Sequence, residues 1–241
     1  MAMIAGMIED TVAALDWARI DAELEGHGAV ATGVPLLPPA DCAALAALYA
    51  EEGGFRSRIV MARHGFGRGE YKYFAEPLPP PVAALRAALY PRLVPLANRW
   101  AAALGEARRY PPDLAAFHAE CHEAGQTRPT PLLLRYEAGG WNALHRDLYG
   151  PVAFPLQVAV LLSAPGRDFT GGEFVLTEQR PRMQSRAEVV PLAQGEAVVF
   201  ATRHRPVQGA RGIYRVALRH GVSRLRSGER FTLGVIFHDA A

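Results

Sequence analysis

The chain has 241 residues, 50% hydrophobic and 21% charged, with a net charge of +2; this excludes global disorder and leaves enough apolar side chain for a sizeable core. Only Cys42 and Cys121 are present, which excludes a disulfide framework or a Cys-rich zinc site. No apolar run reaches the roughly 20 residues of a membrane helix, and Glu9 and Asp10 interrupt an N-terminus with no leading basic segment, so the expectation is a soluble cytoplasmic protein without a signal peptide.

The N-terminal half is Ala-rich and helical in pattern. Residues 8 to 25 predict an amphipathic helix ending near Gly26 and Gly28, and Val30 to Leu37 a short strand. A helix follows from Pro39-Ala40-Asp41 to about Glu52, stopped by Gly53 and Gly54. Arg56 to Arg63 reads as a strand and Gly65 to Gly69 as a loop, with Tyr71 to Phe74 after it. The prolines at 77 and 79–81 lead into a helix over about 82–104, and residues 111 to 124 predict another.

The pattern changes after Thr130. Eight short strands are expected: Leu132 to Tyr136, Asn142 to Tyr149, Gln157 to Leu162, Gly172 to Leu176, Glu188 to Leu192, Ala197 to Phe200, Val216 to Val222 and Phe231 to Phe237. Strands so spaced, with Gly, Pro and polar turns between them, argue for a sandwich or barrel. The expected organisation is α+β: a helical part over 1–129 buttressing a β core over 130–241 as one structural unit, with a candidate substrate lid at 64–74.

His145-Arg146-Asp147 carries the first chemical signal. Residues two apart on a strand face the same side, so imidazole and carboxylate can meet one metal ion. Alone, such a tripeptide is more often a surface pair or a satisfied core histidine. His220, 75 residues later on another expected strand, supplies a second imidazole. Two imidazoles and a carboxylate fill one face of an octahedral ferrous ion and leave the other open for a 2-oxo acid and dioxygen. Arg230, ten residues beyond His220, offers a bidentate cation for the distal carboxylate of that acid. His204 is the rival third ligand, but its proline and flanking arginines predict an exposed turn. His238, at the chain end, reads as structural.

With His145, Asp147, His220 and Arg230 in this order, and Gly171-Gly172-Glu173 between them, the chain resembles the Fe(II)/2-oxoglutarate-dependent dioxygenase superfamily over roughly residues 130–238. The resemblance implies a double-stranded β-helix (jelly-roll) core. It also implies an oxidoreductase that uses Fe(II), 2-oxoglutarate and O2 and couples decarboxylation to succinate with attack on a substrate C–H bond. In related enzymes a tyrosine placed like Tyr136 bonds the cosubstrate, against the alternative of a buried aromatic. Gln157 interrupts an apolar strand and faces the cosubstrate or sits at a sheet edge.

More narrowly, Phe154 to Gln157, Thr177 to Arg186, Phe237 to Asp239 and Arg63 to Phe74 resemble a group of prokaryotic oxygenases proposed to act on damaged nucleic acid. The implied function is oxidative dealkylation or hydroxylation of DNA or RNA. One departure concerns the alkylation-repair branch, which carries a second arginine six residues on; here that position is Ile236. The spacing from His220 to Arg230 instead resembles prolyl hydroxylases, so a protein or peptide hydroxylase is the second reading. A cupin-like binding protein without turnover is the third.

Lys72 is the only lysine among 26 cations. Genomic bias toward Arg and Ala codons explains this most simply, yet arginine suits bidentate phosphate contact. Between Val175 and Thr232 there are 11 arginines and 4 acids, a local charge of +7. Alternating cations usually mark a solvated face; the functional alternative is a basic rim that positions phosphates. The candidate substrate-binding residues are Arg180, Arg182 and Arg186 after the Gly172 strand, with Arg68, Tyr71, Lys72 and Tyr73 on the lid, where aromatics beside cations can stack a base and hold its backbone.

Overall fold

The computed structural model describes residues 2–147 and 150–241. In chain order the elements are α1 (Ala2–Ala13), α2 (Trp17–His27), β1 (Ala29–Ala31), α3 (Pro39–Ala47), β2 (Phe55–Val60), β3 (Gly67–Arg68), β4 (Glu70–Phe74), α4 (Pro80–Ala103), α5 (Leu114–Glu123), β5 (Leu132–Glu137), β6 (Trp141–His145), β7 (Leu156–Leu161), β8 (Phe169–Gly171), β9 (Phe174–Gln179), β10 (Arg186–Val190), β11 (Ala197–Ala201), β12 (His204–Gly209), β13 (Gly212–Val222) and β14 (Leu225–Val235).

Local chemistry sets the boundaries. The predicted first helix is two, because the Asp16 side chain accepts from Arg19 N at 3.0 Å and starts α2. Helix α2 ends at Gly28, whose φ of 83° suits glycine. The strand expected over 30–37 stops at Ala31, before Gly33 and Pro35 break the ladder. The second core strand was expected to reach Tyr149; it is β6 to His145, and Leu148 and Tyr149 lie outside the described residues.

The strands form two antiparallel sheets. The larger has eight strands in the order β1-β11-β7-β14-β5-β4-β2, with β8 also paired to β14. The smaller has six in the order β10-β9-β13-β6-β3, with β12 paired to β13. This pair of sheets is the jelly-roll core. Three strands, β3, β8 and β12, escaped the sequence reading; the Gly-rich and Pro-containing segments that carry them mimic loops. The region 1–129 is not only helical, since β1, β2 and β4 extend the large sheet and β3 the small one.

One apolar cluster joins all five helices to β7, β11 and β14. On β14, Leu233 and Val235 enter this cluster, while Arg230, Thr232 and Gly234 line a cavity on the other face. The period of two thus gives the large sheet one face for the helices and one for the site. A buried pair ties helix to core: the Arg86 guanidinium meets Asp239 at 2.7 Å and donates to the carbonyls of Ile236 and Phe237. Among the described residues no helix is long and apolar enough to cross a membrane.

A candidate metal and cosubstrate site between the sheets

A cavity of about 420 Å³ opens between the sheets. Antiparallel pairing of β6 and β13 sets His145 opposite His220, with ring centroids 4.3 Å apart. Asp147 follows β6 and closes the group. Its carboxylate oxygens lie 3.5 Å from His145 Nε2 and 3.4 Å from His220 Nε2. One ligand atom from each residue falls within 4.8 Å of the others. His145 Nδ1 stands 2.7 Å from the Ala143 carbonyl. Donation there would fix the ring orientation and leave Nε2 facing Asp147.

The electrostatics suit a cation. Burial opposes ionisation of Asp147, but hydrogen bonds and charge from His145 and His220 outweigh it and hold the carboxyl well below its usual range. His220 is pulled down, first by burial, with Asp147 opposing. A buried carboxylate between two imidazole nitrogens is the donor set of a facial Fe(II) site. His204 is not in this group. It lies on β12 opposite Ala217, in a strand where a loop was expected, and burial followed by the charges of Arg203, Arg146 and Arg215 lowers its imidazole to about 4.

Across the cavity β14 carries Arg230, paired in register with Tyr136 of β5. Arg230 is 3% exposed, and burial pulls its guanidinium down to about 10. Its Nη1 donates to Thr232 Oγ1 at 2.6 Å, while Nε has no partner. Among the described residues no carboxylate pairs with it. A buried cation without an acid is costly, and a cavity-bound carboxylate would satisfy it. The Tyr136 hydroxyl and Gln157 Oε1 are also buried without hydrogen-bond partners, and both residues line the cavity. Two glycines make room. A Cβ on Gly172 would meet Leu225 Cδ1 at 2.1 Å and Arg230 Cδ at 3.1 Å, and one on Gly69 would meet the Tyr136 ring at 2.7 Å.

A family model described as an oxygenase catalysing oxidative methylation of damaged DNA matches residues 69–240. The chain belongs to this oxygenase family. Uncharacterized proteins from two strains of Mycobacterium tuberculosis are 53% identical over 168 residues, covering 70% of this chain and 72% of theirs. The fold is similar to a 2OG-Fe(II) family oxidoreductase from Burkholderia pseudomallei (TM-score 0.54, 18% identity, 93% of each chain). It is also similar to a Pseudomonas putida prolyl-4-hydroxylase (TM-score 0.53, 16% identity, 93% of this chain and all of that one). Membership of an oxygenase family makes the chain an oxidoreductase, which sets aside a binding protein without turnover.

The lid and rim residues of the oxygenase divide. Tyr71 and Tyr73 line the cavity, edge to face at 5.4 Å. Lys72 lies elsewhere, its Nζ donating to the carbonyls of Tyr49 and Glu51, because alternation on β4 sends it to the other face. Arg68 is exposed and lines a separate 200 Å³ cleft with Arg135 and Glu137. Arg180 and Arg186 lie beside Glu178 at 2.6 and 3.8 Å, and the exposed Arg182 sits in the β9–β10 turn; none lines the cavity. Their anchor, Glu178, is only 4% exposed and also pairs with the buried Arg205.

Sequence reasoning missed Thr232, Phe200 and Arg146. Thr232 was within reach, two residues from Arg230 on one strand. Phe200, whose ring centroid is 4.6 Å from that of His220, has no local signal.

Proposed function

We propose that this oxygenase removes or hydroxylates alkyl groups on damaged nucleic acid. The observation that carries the reading is the family match over residues 69–240. Aromatic walls from Tyr71, Tyr73 and Phe66 around the cavity suit a flat base taken out of its stack.

In this account His145, Asp147 and His220 hold Fe(II), and Arg230 forms the fork that grips the distal carboxylate of 2-oxoglutarate. Thr232 orients that fork through its hydrogen bond. Tyr136 donates its hydroxyl proton to the cosubstrate, and Gln157 offers an amide beside it. Val198, Phe200 and Leu134 wall the cavity and keep bulk water from the reacting atoms. When bound, Fe(II) with 2-oxoglutarate would supply oxidation of a substrate C–H bond by dioxygen, with 2-oxoglutarate leaving as succinate and CO2. An N-methyl group becomes N-hydroxymethyl, which releases formaldehyde and leaves N–H.

A second reading, peptide hydroxylation, is favoured by the ten-residue spacing from His220 to Arg230 and by the fold of the Pseudomonas putida prolyl-4-hydroxylase. Incubation with Fe(II), 2-oxoglutarate and either N-methylated oligonucleotides or proline peptides separates the two. Succinate and formaldehyde rising together on oligonucleotides is the expected result. Hydroxyproline with no reaction on oligonucleotides would overturn the first reading.

A further inference from the structure

Three arginines lie around Leu218 of the small sheet, beside the candidate metal residues. The Arg203 carbonyl accepts from Leu218 N at 2.9 Å, and Arg146 Nε donates to the Leu218 carbonyl at 3.1 Å. Arg219 is the next residue on β13. The positions tie the cluster to the site: Arg146 lies between His145 and Asp147, and Arg219 precedes His220. Arg203 and Arg219 are exposed, and Arg146 is half-buried and lines the cavity.

No carboxylate answers this charge. Among the described residues none of the three forms an ion pair, whereas nearby Arg215 is held by Glu106 at 2.7 Å. The Arg146 guanidinium lies within the electrostatic reach of Arg219 and Arg203. Like charges left together without an acid are unfavourable in the free protein. An anion that bridges them removes the repulsion, and guanidiniums match phosphate oxygens bidentately. Phe66, 47% exposed and stacked with His64 at 5.3 Å, lines the same cavity.

We propose that Arg146, Arg203 and Arg219 form a clamp for the phosphodiester backbone that flanks the nucleotide entering the cavity. This rests on the nucleic-acid reading above and moves the phosphate contacts from the β9–β10 turn to the outer edge of β12 and β13. The clamp acts through charge and register, with no sequence preference of its own.

The test is fluorescence anisotropy of a labelled single-stranded oligodeoxynucleotide with the full chain, over a range of salt. Arg203→Glu/Arg219→Glu should weaken binding by about tenfold or more and flatten the slope of log affinity against log salt by about 1.4, near 0.7 per lost single-strand contact. Arg203→Lys/Arg219→Lys should keep most of that slope. The control is Arg92→Glu/Arg211→Glu, an equal charge change at exposed sites elsewhere, and it should bind as the wild type does. Equal loss in control and clamp pairs, or no loss in the clamp pair, would overturn the clamp. A polyglutamate peptide that competes as well as the oligonucleotide would assign the surface to acidic protein instead. A wild-type chain that binds no oligonucleotide at low salt sinks the nucleic-acid reading, an outcome distinct from loss of the clamp alone.

Discussion

Strands β7 and β11 of the large sheet are buried along almost their whole length, whereas β9 and β13 of the small sheet alternate buried and exposed positions. The large sheet is covered twice, by helices on one face and by the small sheet on the other. Its polar side chains at the cavity, Arg230, Thr232, Tyr136 and Gln157, are therefore buried and have only the cavity to serve. The small sheet is covered once. Its inner face carries His145 and His220 at the cavity, and its outer positions, such as Arg219, stay available to a macromolecule. The difference teaches that one architecture separates a dry, buried polar wall from a wall that carries a candidate metal group inside and charge outside.

The largest expected effect on folding falls on the doubly covered sheet. Leu233→Ala, at a position with no exposure, should cost about 2–5 kcal/mol in denaturant unfolding. Arg219→Ala, on the open face, should stay within about 0.5 kcal/mol. Equal costs would remove the contrast. Next comes the wall proposed to hold the cosubstrate. Arg230→Lys replaces a fork with a point charge and should raise the KM for 2-oxoglutarate by roughly tenfold or more. An unchanged KM would place the anchor elsewhere.

Acid should test the covered side. Burial lowers the His238 imidazole from 6.5 to about 4 in the fold. Between those values the unfolded chain binds the extra proton, so stability falls as pH drops from about 6.5 toward 4, and this contribution is lost fully below that. Calorimetry at pH 7 and pH 5 should show the fall, with a shallower one in His238→Gln. The smallest effect on the cosubstrate is expected at Gly69→Ala, where the new methyl presses on the Tyr136 ring. It should destabilise by about 1–3 kcal/mol and weaken 2-oxoglutarate binding modestly.

Much of the site was legible because its geometry is local. His145 and Asp147 are two apart, His220 and Arg230 ten apart across a short turn, and the period of two carries the rest. The same period would have separated Lys72 from Tyr71 and Tyr73, since neighbours on a strand face opposite ways. The fate of Arg180 and Arg186 was not legible, because Glu178 is buried by Arg205, 27 residues away, and by α2 carbonyls accepting from it. The N-terminal strands were partly legible as short runs. That β2 and β4 extend the large sheet depends on pairing across some 60 residues, from β4 to β5, which no local pattern announces.

The central claim is that the small sheet holds the metal and the large sheet holds the cosubstrate. Anaerobic calorimetric titration of Fe(II), then of 2-oxoglutarate, into the wild type, His220→Ala and Arg230→Ala tests it directly. The account predicts that His220→Ala loses Fe(II), while Arg230→Ala keeps Fe(II) and loses 2-oxoglutarate. Wild-type Fe(II) binding by His220→Ala, or loss of Fe(II) in a folded Arg230→Ala, would contradict it.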